Sequence, residues 1–297
     1  MAAPMLIGIL ALAACGGGSG GTASTSSSSA STSNAAPAAC VTGTATASGS
    51  TALQPLAQKA AELYAAKCPG ATVTVSGGGS STGLANVAAG TSDIGDSDVP
   101  VTDAPSINAS ALTDHQVAIV VFAIIVNPKT TVTNLTLKQA QDVFSGKVTN
   151  WKDVGGADLP VTLIERKPGS GTRLAFDKTV MRGTPESTTP ASTQDSTQLV
   201  VQGVTGADGG VSYVSLASAN PTVTVVSLDG VKPGTDSVKA GQYPAFSHEH
   251  MYTKGPGSAL AQSYIASILT DTFQTGTVTT LGFLPLSTTS AQSLADK

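Results

Sequence analysis

Charge is scarce in this 297-residue chain. Asp, Glu, Lys and Arg make up 11% of it, with 15 basic against 19 acidic residues and a net charge of −4. No Lys or Arg precedes Lys59 and no basic run occurs later, which excludes nucleic acid as a partner. Histidine is equally sparse, at His115, His248 and His250. His248-Glu249-His250 lacks the i, i+4 helical spacing of a zinc hydrolase, and no histidine stands near Ser170 to activate it as a nucleophile. There is no GxxxxGK[ST] phosphate loop, so nucleotide hydrolysis is excluded too. The longest apolar run of the central chain, Val117–Val126, is too short to cross a bilayer and reads as a buried strand. These absences point away from an enzyme, and no cofactor or metal is expected.

What the chain does have is small hydroxyl residues and glycine in three clusters. SGSTALQP (48–55), GGGSSTGL (77–84) and RKPGSGTR (166–173) each precede a helix-like stretch. A helix start leaves backbone N–H groups unpaired and carries about half a positive charge, so it favours an oxyanion. One such cluster would be ordinary capping. Three of them, with Asp98 in DIGDSDVP and Arg166 ahead of the last, predict a tetrahedral oxyanion held from several sides.

Residues 1–15 end an apolar run in Leu12-Ala13-Ala14-Cys15, which resembles a bacterial lipobox. That resemblance implies a lipoprotein signal peptide, lipidation at Cys15 and an extracytoplasmic protein anchored to the cell membrane. The basic n-region usual in such signals is missing. Residues 16–40, nearly all Gly, Ser, Thr and Ala, cannot bury enough surface to order themselves. They are expected to form a tether reaching about 25–30 Å. Cys40 and Cys68 remain as a pair in an exported domain, before the first strand and at the end of the first helix. A disulfide is expected, with two separate thiols as the alternative.

The globular part alternates strand-like and helix-like pieces. Strands are predicted at 41–47, 71–76 and 93–95, with helices at 53–67 and 81–89 between them, a β-α-β-α-β order that argues for an α/β lobe with mainly parallel pairing. A second lobe is predicted with helices near 137–145 and 172–181 and strands at 159–164, 211–216 and 222–226. Residues 182–197 and 229–242 read as loops. Residues 243–252 read as extended and 258–272 as the last helix.

The three clusters, together with GTSDIGDSDVP, VFSGKVTNWKDVGG, GVSYVSL, YPAFSHEHMYTKG and GFLPLS, resemble the phosphate-binding proteins of bacterial high-affinity phosphate ABC transporters. The likeness runs over nearly all of residues 43–287. It implies an α/β, two-lobed periplasmic-binding-protein fold of type II, with mainly parallel sheets flanked by helices and the ligand between the lobes. Lobe 1 would comprise 41–124 plus 246–297 and lobe 2 125–245, with chain crossings near 123–127 and 243–248. Matching motif to motif, the phosphate contacts would be Thr51 and the Ala52 N–H, Ser80, Asp98, Arg166, Ser170, Gly171 and Thr172. Some relatives carry an aromatic residue where Ala52 stands. Some carry an acid, paired with the arginine, where Pro168 stands, so Arg166 is less neutralised here.

Chemistry assigns the roles within that set. Phosphate near neutral pH keeps a proton and sulfate has none, so a buried acceptor such as Asp98 separates the two; a solvated turn aspartate is the plainer alternative. Arg166 offers a planar, fixed charge for bidentate contact, against a surface ion pair with Glu165. Arg173 reads as structural, Ser81 and Thr82 as helix caps, and Trp151 as packing. The function implied is a monomeric, lipid-anchored receptor that closes its lobes on inorganic phosphate and delivers it to ABC permease subunits in the membrane. A receptor for sulfate, molybdate or arsenate, or a surface phosphatase or phosphate sensor, is the alternative.

Overall fold

The computed structural model describes residues 40–104, 107–289, 293 and 295. The expected signal peptide with Cys15 and the expected tether up to residue 39 lie outside the described residues. The first half of the chain opens with β1 (Gly43–Gly49), α1 (Gln54–Lys67), β2 (Ala71–Ser76), α2 (Ser80–Ala89) and β3 (Ile94–Ser97). The long β4 (Leu112–Val126) leads to β5 (Asn134–Leu135), α3 (Leu137–Phe144), β6 (Thr162–Arg166) and α4 (Gly171–Phe176). Then come β7 (Ser192–Gln194), α5 (Thr197–Gly206), β8 (Gly210–Ser215), β9 (Thr224–Val225), β10 (Ser227–Leu228) and α6 (Thr235–Lys239). β11 (Phe246–Lys254) and α7 (Ala259–Ile268) complete the regular elements.

One sheet runs through both halves in the order β2-β1-β3-β11-β4-β8-β6-β7, with β9 also paired to β4. The outer pairs β1–β2, β1–β3, β6–β7 and β6–β8 are parallel, while β4 and β11 insert antiparallel at the centre. β4 holds the halves together. It pairs with β11 as far as Val121 and with β8 from Phe122 onward. Every β4 residue from Val117 is buried, the pattern of a strand covered on both faces.

Helices cover the sheet through small sets of apolar contacts. α1 buries Leu56, Ala57, Ala60 and Tyr64, with Pro55 in its first turn where no N–H is needed. The Tyr64 hydroxyl donates to Ser263 at 2.8 Å and Tyr264 donates to the Ala57 carbonyl at 2.7 Å, which joins α1 to α7. In the second half Phe144, Phe176 and Tyr213 stack with ring centroids 4.0–5.5 Å apart.

The two stretches read as loops hold three elements. β7 and α6 are too short for their periodicity to show. α5 begins inside the polar stretch, and its apolar Val200, Val201 and Val204 follow a Ser/Thr/Asp run that looks like a turn. The helix predicted to 181 ends its α-form at Phe176 and continues as a π-helical turn over Asp177–Met181. Among the described residues no helix is long and apolar enough to cross a membrane.

Cys40 and Cys68 form a disulfide with their Cα atoms 5.3 Å apart, pinning the start of β1 to the end of α1. Replacing both with serine is expected to lower unfolding stability by about 3 kcal/mol on the loop-entropy estimate. Denaturant titration checks this, and an unchanged midpoint and slope would contradict it.

Candidate functional site

The site forms where parallel strands end. In parallel α/β sheets the carboxyl ends of strands open into the loops that hold ligands. Here Ser50 and Thr51 follow β1, Ser80 follows the turn after β2, and Asp98 follows β3. From the other half, Arg166 is the last residue of β6, Ser170–Thr172 open α4, and Asp195 follows β7. Two strand groups on opposite sides of β4 and β11 therefore aim their ends at one place.

Asp98 sits at the meeting point and is 1% exposed. One carboxyl oxygen accepts from the Ser50 hydroxyl and the other from the Thr172 hydroxyl at 2.7 Å. Its N–H donates to Ser80 Oγ at 3.1 Å, and its carbonyl accepts from the Ser247 hydroxyl. A turn aspartate in solvent would have none of this; Asp98 is held by donors from both halves of the protein.

Arg166 is also 1% exposed. Its Nη2 donates to Thr51 Oγ1 at 3.1 Å and to the Asp195 carbonyl at 3.4 Å. Nε and Nη1 are buried and bond to no protein group. Burial lowers the guanidinium's pKa and the nearby Asp98 carboxylate opposes that shift. Two unpaired N–H-bearing nitrogens on a buried cation cost free energy unless an acceptor meets them. Arg166 is not the surface ion pair that was the alternative for it, because Glu165 pairs instead with Arg173 at 3.5 Å.

The remaining predicted residues are placed around these two. Ser170 caps α4, its hydroxyl accepting from the Arg173 N–H at 3.3 Å. The Ala52 N–H donates to Ser50 Oγ at 3.0 Å. Gly171 lets the halves touch: a Cβ there would overlap the Ser80 hydroxyl and lie 2.9 Å from Asp98 Cβ. The Gly169 carbonyl accepts from the Ser81 N–H at 3.1 Å, a second direct bond between the clusters.

Ser81 and Thr82 are not helix caps as expected. α2 is preceded by Gly79 at φ +89°, a conformation that favours glycine, and no side chain caps that end. Arg173 is structural, with its Nη1 on the Arg166 carbonyl at 2.6 Å. Trp151 is fully buried and donates to the Gly209 carbonyl at 2.9 Å.

Sequence reading did not assign Ser50, Ser247 or Thr197. Ser50 lies inside a quoted cluster but is one hydroxyl among several there. Ser247 stands among the polar residues of the buried strand β11, where nothing in the pattern marks it apart from its neighbours. Two further carboxyls, Asp96 and Glu249, are fully buried beside Asp98. Burial first, then their acidic neighbours, push both well above the usual carboxylate range.

Comparisons with known proteins give the family and the fold. A model described as the PBP superfamily domain matches residues 34–272. The phosphate-binding protein PstS of Bacillus subtilis is 38% identical over 248 residues, 82% of this chain and 81% of that protein. The chain belongs to this phosphate-binding protein family of the PBP superfamily. Among solved structures, a phosphate ABC transporter substrate-binding protein from Clostridium perfringens with bound phosphate superposes at TM-score 0.77. It is 28% identical, and the match covers 82% of this chain and all of that one. A phosphate transport receptor from Vibrio cholerae superposes at 0.65 with 25% identity, covering 81% of this chain and 99% of that one. The family's two-lobed α/β fold is thus the fold of this chain.

Behind Arg166 lies an acidic cluster around Arg173. Glu186 pairs with it at 2.6 Å, and burial raises both Glu186 and Asp177 to about 7, each reinforced by an acidic neighbour. A carboxyl raised on folding contributes stability that is present below its unfolded pKa and lost as pH rises through the folded value. Thermal stability is therefore expected to fall between pH 4.5 and 7, and Glu186→Gln to flatten that fall. Melting curves across this range check the sign, which an increase with pH, preserved in the variant, would reverse.

Proposed function

We propose that the protein is a receptor that closes two lobes on inorganic phosphate and presents it to an ABC permease. It is a binding protein, not an enzyme. The observation that carries the reading is the buried Arg166 with two unpaired nitrogens beside a buried Asp98. A tetrahedral anion seated there takes the guanidinium's free donors, the hydroxyls of Thr51, Ser80, Ser170 and Thr172, and the N–H groups near Ala52 and Gly171. It supplies in return the one thing Asp98 lacks, a proton donor from the ligand side. Phosphate carries such a proton and sulfate does not.

The lobes in this proposal are residues 41–124 with 246–297 and residues 125–245. The change of β4's partner from β11 to β8 supports the division. The Ser80–Asp98 set would lie on the first lobe and the Arg166–Thr172 set on the second, so the ligand bridges them and favours the closed state. Relatives named as phosphate transport receptors support an extracytoplasmic receptor working with permease subunits, and we take it to act as a monomer. The lipobox-like Leu12–Cys15 supports a lipid anchor, with residues 16–40 as the leash.

Titration calorimetry at neutral pH is expected to show sulfate at least about a hundredfold weaker than phosphate, a gap of about 2.7 kcal/mol. Asp98→Asn should narrow the gap, because an amide can donate to sulfate. Equal affinities of the unmutated protein for the two anions would overturn the reading.

Arg166→Ala is expected to weaken phosphate by about 3 kcal/mol, the scale of a charged hydrogen bond lost from a buried anion. It should also shrink the compaction that phosphate causes in small-angle scattering. A radius of gyration in the unmutated protein that ignores phosphate would contradict closure.

A further inference from the structure

Thr51 is bonded from across the site by a residue that no motif singled out. Thr197 is the first residue of α5, directly after its N-cap Ser196, whose hydroxyl accepts from the Leu199 N–H at 3.3 Å. The Thr197 N–H donates to Thr51 Oγ1 at 3.2 Å, and the two hydroxyl oxygens lie 3.1 Å apart. Arg166 Nη2 donates to the same Thr51 oxygen at 3.1 Å. Thr197 is 1% exposed and Thr51 is half-buried.

A hydroxyl has two lone pairs and one hydrogen. A backbone N–H and a guanidinium can only donate, so together they occupy both lone pairs of Thr51. Its hydrogen can then only be donated, to Thr197 Oγ1 or to a bound anion. We infer that Thr197 is a positioning residue that fixes Thr51 as an obligate donor toward the bound anion, an inference that rests on the phosphate reading above. Left free to turn, the hydroxyl could present a lone pair to an anion that offers mostly acceptors. Locked by Thr197 and Arg166, it meets the anion with hydrogen first. The bond also ties the end of β1 to the start of α5, so it forms only when the two strand groups are together.

The fold offers a selective test. The first helical position tolerates proline, whose missing N–H is unpaired there in any helix, and Ser196 already has the extended backbone (φ −134°, ψ 153°) that a residue before proline needs. Thr197→Pro should weaken phosphate at least about tenfold, one hydrogen bond's worth, and lower the melting temperature, because its ring meets Thr51 Oγ1 where the N–H was. Thr197→Val keeps the N–H and should bind phosphate within about threefold of the unmutated protein. Because Thr197 acts through Thr51, the Thr51→Ala/Thr197→Pro double variant should bind no more weakly than Thr51→Ala alone. That non-additivity is what a merely structural role would not produce, and it decides the matter although the proline lowers the melting temperature.

Wild-type affinity in Thr197→Pro, or losses that simply add in the double variant, would overturn the role of Thr197. If phosphate binds and Thr51→Ala weakens it while Thr197→Pro does not, only this inference falls. If the unmutated protein takes no phosphate, the functional reading falls with it.

Discussion

A buried guanidinium facing a buried carboxylate, with each only partly satisfied, is the constraint around which this molecule is arranged. Arg166 and Asp98 are both almost wholly removed from water. Charges in that position are tolerated only with partners, and a direct ion pair would consume both of them. Here the carboxylate is held by hydroxyls of Ser50 and Thr172, and the guanidinium by Thr51 and the Asp195 carbonyl. The pair is thereby kept poised for a third body.

Everything larger serves to bring those two side chains to one point. They come from the ends of β3 and β6, in opposite halves of the sheet, so neither half can form the site alone. β4 and β11 supply the common spine, buried over Val117–Val126 in β4 and over Phe246 to Thr253 in β11. The strand ends on either side then carry the hydroxyls, amides and charges. Close approach depends on the lack of a side chain at Gly171, where the two halves come into contact.

Much of this was legible in the sequence, because hydroxyl clusters before helices and an unbroken apolar strand have direct physical meaning. β2 and the start of α3 fall where periodicity puts them, at 71–76 and from 137. Asp98 and Arg166 were readable as an acceptor and a fixed cation. What was not legible is the hydrogen-bond order among neighbouring hydroxyls. Ser50 rather than Thr51 bonds Asp98, and Ser80 accepts an amide, because the turn geometry after each strand decides which oxygen faces inward. α5 was hidden by the Ser/Thr-rich run that precedes it, and Thr197 with it. The loss of an acid at Pro168 looked like a missing partner for Arg166. In the fold the Asp195 carbonyl supplies an acceptor from the next strand, which no local motif could indicate.

The central claim is that one phosphate ion is held between the two strand groups by Asp98 and Arg166 together. A crystal structure of the protein with phosphate tests it most directly. The account predicts a single phosphate with one oxygen at hydrogen-bond distance from an Asp98 carboxyl oxygen and another on Arg166 Nε or Nη1. A phosphate bound to residues of one half alone, or one that leaves Asp98 on its Ser50 and Thr172 partners only, would contradict it.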